Sequence, residues 1–502
     1  MSLVSSSAGR EEEFDTVRAL LDGARSFVRS VVEFFRIVRD ELFPPGDCCE
    51  AIKLVAFAGD DIAHSVLWWR RRALKAIEKA LRIAPNFYVA WYLRGVVYGD
   101  MVGRRFSEDL LEEALKSFDK SYDPVVSRNW PNKYLPFFAK GKLLYEVSRF
   151  ERAFEEFDKA LKLADDWEPT EIILRRSLAL YQLGMLEESV DDAIPILTPL
   201  HYDELIELAG EHASLYGLSE VEARALVLKA VAETMCKEFR RGKRTIDSLL
   251  SKSRTPEALT IYAQWLKGKG RRDEALGVLL GIPRDRRPIV ALRLLWSIYS
   301  EKRDTRPIAL KFIEEALSRR PDSFHLRFVR CETLKDIGGL KMSEECYKSI
   351  VEDCRGFKNY FCSQTAYQLA YLLEVNKRFD EAEEYYKRSI ALMQFPDSDV
   401  YYSYADLLEK VFNRVDEAIE YYRLAARYGR SPMDFGASAS ALSRLGLIKE
   451  ALINYFKALV SQIGSTYPQP FRVTDIRALK DLIRRFRRSG EDCCDVIGMI
   501  DL

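Results

Sequence analysis

The chain has 502 residues, 48% of them hydrophobic and 31% charged. That composition supplies a large core and a solvated surface, and it excludes a disordered or collagen-like chain. Lysine plus arginine and aspartate plus glutamate both number 77, so the net charge is zero and no global attraction to nucleic acid or an anionic membrane is expected.

The first residues lack the basic start and apolar stretch of a signal peptide. No run approaches the roughly 18 consecutive apolar residues of a membrane helix. The richest, Val31 to Val38, is broken by Glu33 and Arg36. A cytoplasmic protein without membrane contact is the expectation. Phe14, Val17, Leu21, Ala24, Val28, Val31, Phe35 and Val38 recur at helical spacing and predict an N-terminal helical cap within residues 1–50.

From residue 51 onward a helical face recurs with the spacing i, i+4, i+7. It opens with Ala73, Ile77, Ala80 and then Ala114, Phe118, Ser121. Ala153, Phe157, Ala160 follow, with a weaker copy at Ser189, Ala193, Ile196. Residues 201–254 are helical in composition but match poorly, which leaves open a break or degenerate hairpins. The face returns at Ala275, Leu279, Ile282; at Ala309, Ile313, Ala316; and at Ser343, Tyr347, Ile350. The last copies are Ala382, Tyr386, Ser389; Ala418, Tyr422, Ala425; and Ala451, Tyr455, Ala458. Small residues admit a neighbouring helix and the large one fills the space between.

A turn residue precedes many of these faces, at Gly184, Gly270, Gly338, Asn413 and Gly446, where a left-handed residue ends a helix. Acidic pairs such as Asp273-Glu274, Asp380-Glu381 and Asp416-Glu417 then open the next helix and suit its positive end. Pro85, Pro124, Pro283, Pro321 and Pro432 mark the boundaries between hairpins. Residues 99–113 carry an insertion, and 124–133 read as a loop. Ile476, Leu479, Ile483 and Phe486 predict a C-terminal capping helix within 466–502.

These residues resemble the tetratricopeptide repeat, a helix-turn-helix unit of about 34 residues. Ala73 through Pro85 into Ala90-Trp91, with Gly95 and Tyr98, match it across two units, and Phe150 and Phe379 match its aromatic before the second helix. The expected fold is all-α: a superhelical solenoid of antiparallel helical hairpins with helical caps at both ends. The expected division is a cap at 1–50, an array at 51–200, a degenerate segment at 201–254, a second array at 255–465 and a basic cap and tail at 466–502.

The resemblance implies that first helices line a concave groove and that the ligand is a segment of another protein. It puts Tyr92 and Val96 there, then Leu135, Phe138 and Lys142. Later units would contribute His325, Phe328 and Glu332, then Gln364, Tyr367 and Tyr371, then Tyr402 and Asp406. One sub-type of the family clamps acidic chaperone tails with lysine and asparagine. Here those places hold Tyr92, Val96, Phe138 and Lys142, of which only the lysine fits.

Other chemistry is weakly signalled. His64, His201, His212 and His325 lie far apart and in different units, and no nucleophile-base, HExxH or phosphate-loop pattern occurs. No catalytic residue and no cofactor is expected. The nine cysteines are odd in number and form no CxxC, so neither a disulfide scaffold nor zinc is expected. For Cys48-Cys49, Cys493-Cys494 and the group Cys331, Cys346, Cys354, Cys362 the plain expectation is buried free thiols, with oxidation of Cys354 and Cys362 or of the adjacent pairs left open. Arginine clusters at 70–72, 240–244 and 284–287 support an alternative, a scaffold on RNA or DNA. The least balanced cluster is Arg484, Arg485, Arg487 and Arg488. Self-association through terminal helices is compatible with either reading.

Overall fold

A computed structural model describes residues 54, 67–123, 133–164, 169–354, 358–429 and 431–463. Both expected caps, the cysteine pairs near the ends and Arg484, Arg485, Arg487 and Arg488 lie outside the described residues. Among the described residues all regular elements are helical, 23 α-helices and three short 3-10 turns. The chain divides into two compact units, residues 1–139 with 397–502 and residues 140–396.

In chain order the helices are α1 (Leu67–Ile83), α2 (Tyr88–Arg104), α3 (Glu108–Lys120) and α4 (Leu135–Glu146). Next come α5 (Phe150–Leu163), α6 (Thr170–Gln182), α7 (Leu186–Leu197), α8 (Asp203–Glu211), the single turn α9 (Ala213–Tyr216), α10 (Glu220–Met235) and α11 (Phe239–Lys252). They are followed by α12 (Pro256–Gly268), α13 (Arg272–Gly281), α14 (Ile289–Tyr299), α15 (Arg306–Arg319), α16 (Phe324–Asp336), α17 (Leu340–Asp353), α18 (Tyr360–Val375) and α19 (Phe379–Leu392). The last four are α20 (Ser398–Lys410), α21 (Val415–Arg427), α22 (Pro432–Arg444) and α23 (Ile448–Ile463).

Neighbours in sequence pair as hairpins, α2 with α3, α6 with α7, α14 with α15, α18 with α19 and α22 with α23 among them. All five expected turn residues have positive φ, from 54° at Asn413 to 95° at Gly338. Ser148, Lys237 and Lys377 do the same without being glycine. Lys237 identifies a hairpin that the sequence concealed. It precedes Gly242, Ile246 and Leu249, which are buried on α11 at the spacing of the repeating face. Residues 220–252 are therefore a repeat. α10 opens on a capping box in which Ser219 and Glu222 satisfy each other's backbone N–H groups.

The repeating faces form the core. Ile77, Phe157, Ile313, Tyr347, Tyr386 and Tyr422 are all fully buried. The weak copy differs: Leu197 is buried where Ile196 was expected, and Pro195 lies inside that helix. The insertion at 99–113 is absorbed by lengthening α2 to Arg104. Between α14, α15 and α16 the core is Ile289, Leu292, Ile313, Ala316, Leu326 and Val329, with Trp296 and Phe328 against it. Burying each large aliphatic side chain stabilises by about 1.5–3 kcal/mol.

Gly141 shows why the first helix needs a small residue. A Cβ there would stand 2.6 Å from the ring of Phe157, and one at Gly95 would stand equally close to Phe118. Gly141→Val is expected to cost about 2 kcal/mol or more, because a fully buried ring must move. Urea unfolding of the variant checks this.

The expectation of free thiols is corrected in α16 to α18. Cys331 and Cys346 are joined across the α16–α17 hairpin, and Cys354 at the end of α17 is joined to Cys362 in α18. Facing positions of a hairpin brought residues 15 apart in sequence to a Cα separation of 5.6 Å, which counting cysteines does not register. Cys236 is the free thiol among the described residues, and burial pushes its pKa up to about 12.

Candidate partner-binding face

In residues 140–396 the first helices of successive hairpins touch, α10 against α6 and α12, α12 against α14, and α16 against α18. Their shared face is the one the resemblance assigns to a ligand. Part of it is already covered by the chain. Residues 198–216 form no hairpin of their own. α8 packs against both α10 and α12, and the turn Thr198–Leu200 packs against α16.

This insertion is pinned from both ends. Arg293 of α14 donates to the Leu200 carbonyl. Glu204 accepts the Ile289 N–H at 2.6 Å, and so caps α14. Asp203 pairs with Arg320 at 3.3 Å. His201, at φ 62°, bonds through Nε2 to the Ser323 hydroxyl at 2.8 Å. Further along, Glu257 is fully buried in α12, where the Tyr216 hydroxyl donates to it at 2.6 Å and His212 Nδ1 lies 3.2 Å away. A buried carboxylate persists only with such partners.

The contacts overturn one expectation. His201 and His325 belong to different units in sequence, yet their ring centroids are 6.0 Å apart. Burial, reinforced by the charge of Arg293, lowers their pKa values to about 4 and about 2. His201, Asp203, Arg293, Arg320 and Ser323 were missed as a group. Nothing local in the sequence links positions that lie 93 to 122 residues apart.

The proposed face residues fare differently. Tyr92 is half-buried against Phe118, ring centroids 5.8 Å apart, and burial pushes its pKa to about 12. Phe138 is half-buried. Lys142 is an exposed residue near Arg175, Glu171 and Glu238, and desolvation together with the Arg175 charge lowers its pKa. His325 lies under His201, and Phe328 is packed into the core cluster and toward Phe361. Tyr367 leans on Tyr386, and Tyr402 on Tyr422. Burial raises the Tyr402 pKa. Glu332 is taken up by the Tyr347 hydroxyl and by Lys335 at 2.8 Å. The same bond from the second-helix tyrosine recurs at Tyr386 to Glu374, 2.7 Å, and Tyr422 to Glu409, 2.8 Å. Burial raises the pKa of all three tyrosines.

Among the aromatic face residues Tyr371 is the exception, with 51% of its surface exposed. It sits near the end of α18 with exposed Val375, and exposed Ile337, Leu340 and Met342 mark the α16–α17 turn. All five lie at the α16–α17 turn or toward the C-terminal end of α18.

Four cations of the described clusters are committed to the protein, while Arg71, Arg72, Arg240, Arg244 and Arg286 are exposed. Arg241 pairs with Glu146 and Glu238, and Lys243 with Asp247. Arg284 pairs with Glu315, while Arg287 donates to the carbonyls of Ile282 and Leu280. No helix among the described residues is long and apolar enough to cross a membrane.

No family model matches the chain. A curated relative, the TPR repeat-containing protein MJ1428 of Methanocaldococcus jannaschii, is 25% identical over 179 residues. The match covers 36% of this chain and only 27% of that protein. Among solved structures, the Cut9-Hcn1 hetero-tetramer of the APC/C is similar over 86% of this chain and 98% of the other, with 12% identity and a TM-score of 0.38. Human IFIT1, solved as a dimer with PPP-AAAA, is similar over 86% and 94%, with 16% identity and a TM-score of 0.35. MamA is similar over 34% of this chain and 88% of its own, with 18% identity and a TM-score of 0.27. The chain is an array of tetratricopeptide-like hairpins.

Proposed function

We propose that this chain is a non-enzymatic scaffold that binds a segment of another protein along the edge formed by α16, α17 and α18. The observation that supports it is the contrast between that edge and its surroundings. Most aromatic and aliphatic side chains of these hairpins are buried, while Tyr371, Val375, Ile337, Leu340 and Met342 stand in solvent. Where such side chains adjoin, the exposed apolar surface they make is characteristic of interaction sites. Tyrosine offers large contact area at low entropic cost and is a frequent anchor. Covering of part of the first-helix face by residues 198–216 favours the edge over a groove running the length of the array.

Affinity capture of the intact protein from native lysate, half of it nuclease-treated, tests the reading. A protein partner that survives nuclease supports it. Tyr371→Ala should weaken that partner at least thirtyfold, the size of an anchor residue, and leave the melting temperature unchanged because the ring is exposed. Capture that disappears with nuclease and persists in Tyr371→Ala would transfer the assignment to nucleic acid.

A further inference from the structure

We infer that Arg293, with His201 and His325 beside it, forms a binding site for a single carboxylate group. Three separate elements converge there: the turn after α7, the middle of α14 and the first turn of α16. The inference is independent of the apolar edge at Tyr371.

A guanidinium carries five N–H donors. The protein gives Arg293 one carbonyl, that of Leu200, and the face of the Tyr202 ring at 5.9 Å. Among the described residues no carboxylate forms an ion pair with it, and burial lowers its pKa. The neighbouring charges are matched to one another. Asp203 holds Arg320 through Oδ2 while its Oδ1 is buried without a partner, and Glu204 caps α14 with Arg319 and Arg320 near it. One positive charge is left over.

The imidazoles supply what else an anion needs. His201 is 3% exposed and His325 9%, and the Nδ1 atom of each lacks a protein hydrogen-bond partner. Ser323 Oγ accepts the Leu326 N–H at 3.2 Å, which leaves its own proton to donate to His201 Nε2. In that arrangement the His201 ring proton sits on Nδ1 as a buried donor. Orphaned polar atoms at these depths are uncommon in proteins and call for a partner. Arg293 is itself half-buried rather than enclosed, and the Arg320 side chain beside Asp203 is 41% exposed.

Carboxylate is the class that fits. The planar fork of a guanidinium matches two carboxylate oxygens. Both rings are neutral at pH 7, so the site offers one positive charge and suits one negative charge. A phosphate dianion would bring a second charge into a partly buried site without a cation to meet it. Phe361, 4.7 Å from His325, keeps the surroundings apolar and the pairing strong. The bound anion would also favour protonation of both rings and raise their pKa values.

The test uses the full chain at fixed ionic strength, with sodium acetate replacing sodium chloride. The expected result is a saturable rise in melting temperature with acetate and an upward shift of two histidine titrations by NMR. His325→Phe, which keeps a ring against Phe361, should weaken the acetate response at least tenfold in a protein that still melts cooperatively. Arg293→Gln should abolish it. Acetyl-triglycine with a free or an amidated end separates the two sources. A response to the acid form but not the amide admits a chain terminus, and a response to acetate alone marks a small free carboxylate. Absence of a saturable acetate effect would overturn the site. So would a larger response to phosphate than to acetate, or an undiminished response in both variants.

Discussion

Reduction of the two disulfides should remove about 5 kcal/mol of stability from residues 324–375 and leave α10 to α13 folded. In the chain-entropy account, closing a 15-residue loop contributes about 3 kcal/mol and closing an 8-residue loop slightly less. Both bridges tie adjacent helices, α16 to α17 and α17 to α18. Hairpin arrays transmit stability mainly between neighbours, so the loss should stay local. Hydrogen exchange with and without reductant reads it directly. Amides of α16 to α18 should lose protection, and those of α11 to α13 should keep theirs. The double substitution Cys331→Ser with Cys346→Ser should reproduce about half of the effect. Equal protection of α16 to α18 in protein whose thiols have been counted as reduced would refute it.

Mild acid should destabilise the second unit more than its carboxylates alone allow. Unfolded histidine takes up a proton near pH 6.5. His201 and His325 resist protonation in the fold down to about 4 and about 2. Between these values the unfolded chain binds more protons, so stability falls as pH falls. The contribution is fully present above pH 6.5. From there to pH 5 each ring should cost about 2 kcal/mol, or roughly 4 together. Carboxylates held low by partners, such as Glu344 beside Lys348 and Arg378, lose their share only at lower pH. The loss between 6.5 and 5 comes from the histidines, and Glu204 and Glu233, whose carboxyl pKa values burial raises, act in the opposite sense. Urea unfolding across that interval, in buffers without carboxylate, should show an uptake of two protons. His325→Phe should reduce the uptake to one. An uptake unchanged in that variant would mean that His325 titrates normally.

The hairpin array was legible because its rule is local. A small residue facing a ring, as Gly141 faces Phe157, and a left-handed turn residue, as at Gly270, lie within one repeat and recur. At 220–252 the choice between a break and degenerate hairpins stayed open because a lysine, Lys237, takes the turn position and a glycine, Gly242 in the first turn of α11, the small one. Each carries the same geometry under an uncharacteristic letter. The candidate sites were less legible. Most first-helix aromatics, Phe328 and Tyr367 among them, are half-buried by neighbours that a single helix face does not reveal. The Cys331–Cys346 bridge depends on pairing across a hairpin. The Arg293 cluster depends on an insertion folding back on helices a hundred residues away, which periodicity cannot register.

That fold-back has a mechanical consequence. Drawn apart from its two ends, a stack of hairpins peels away one hairpin at a time, each giving its own small extension. The hydrogen bonds and ion pair that fasten Leu200, His201, Asp203 and Glu204 to α14 and to the N-terminal edge of α16 make a shackle around the stretch between them. Tension applied outside the shackle bypasses α10 to α13 while it holds. When it parts, the 117-residue interval from Asp203 to Arg320 is exposed to load in a single event. A force-extension trace should then show small even steps interrupted by one long one.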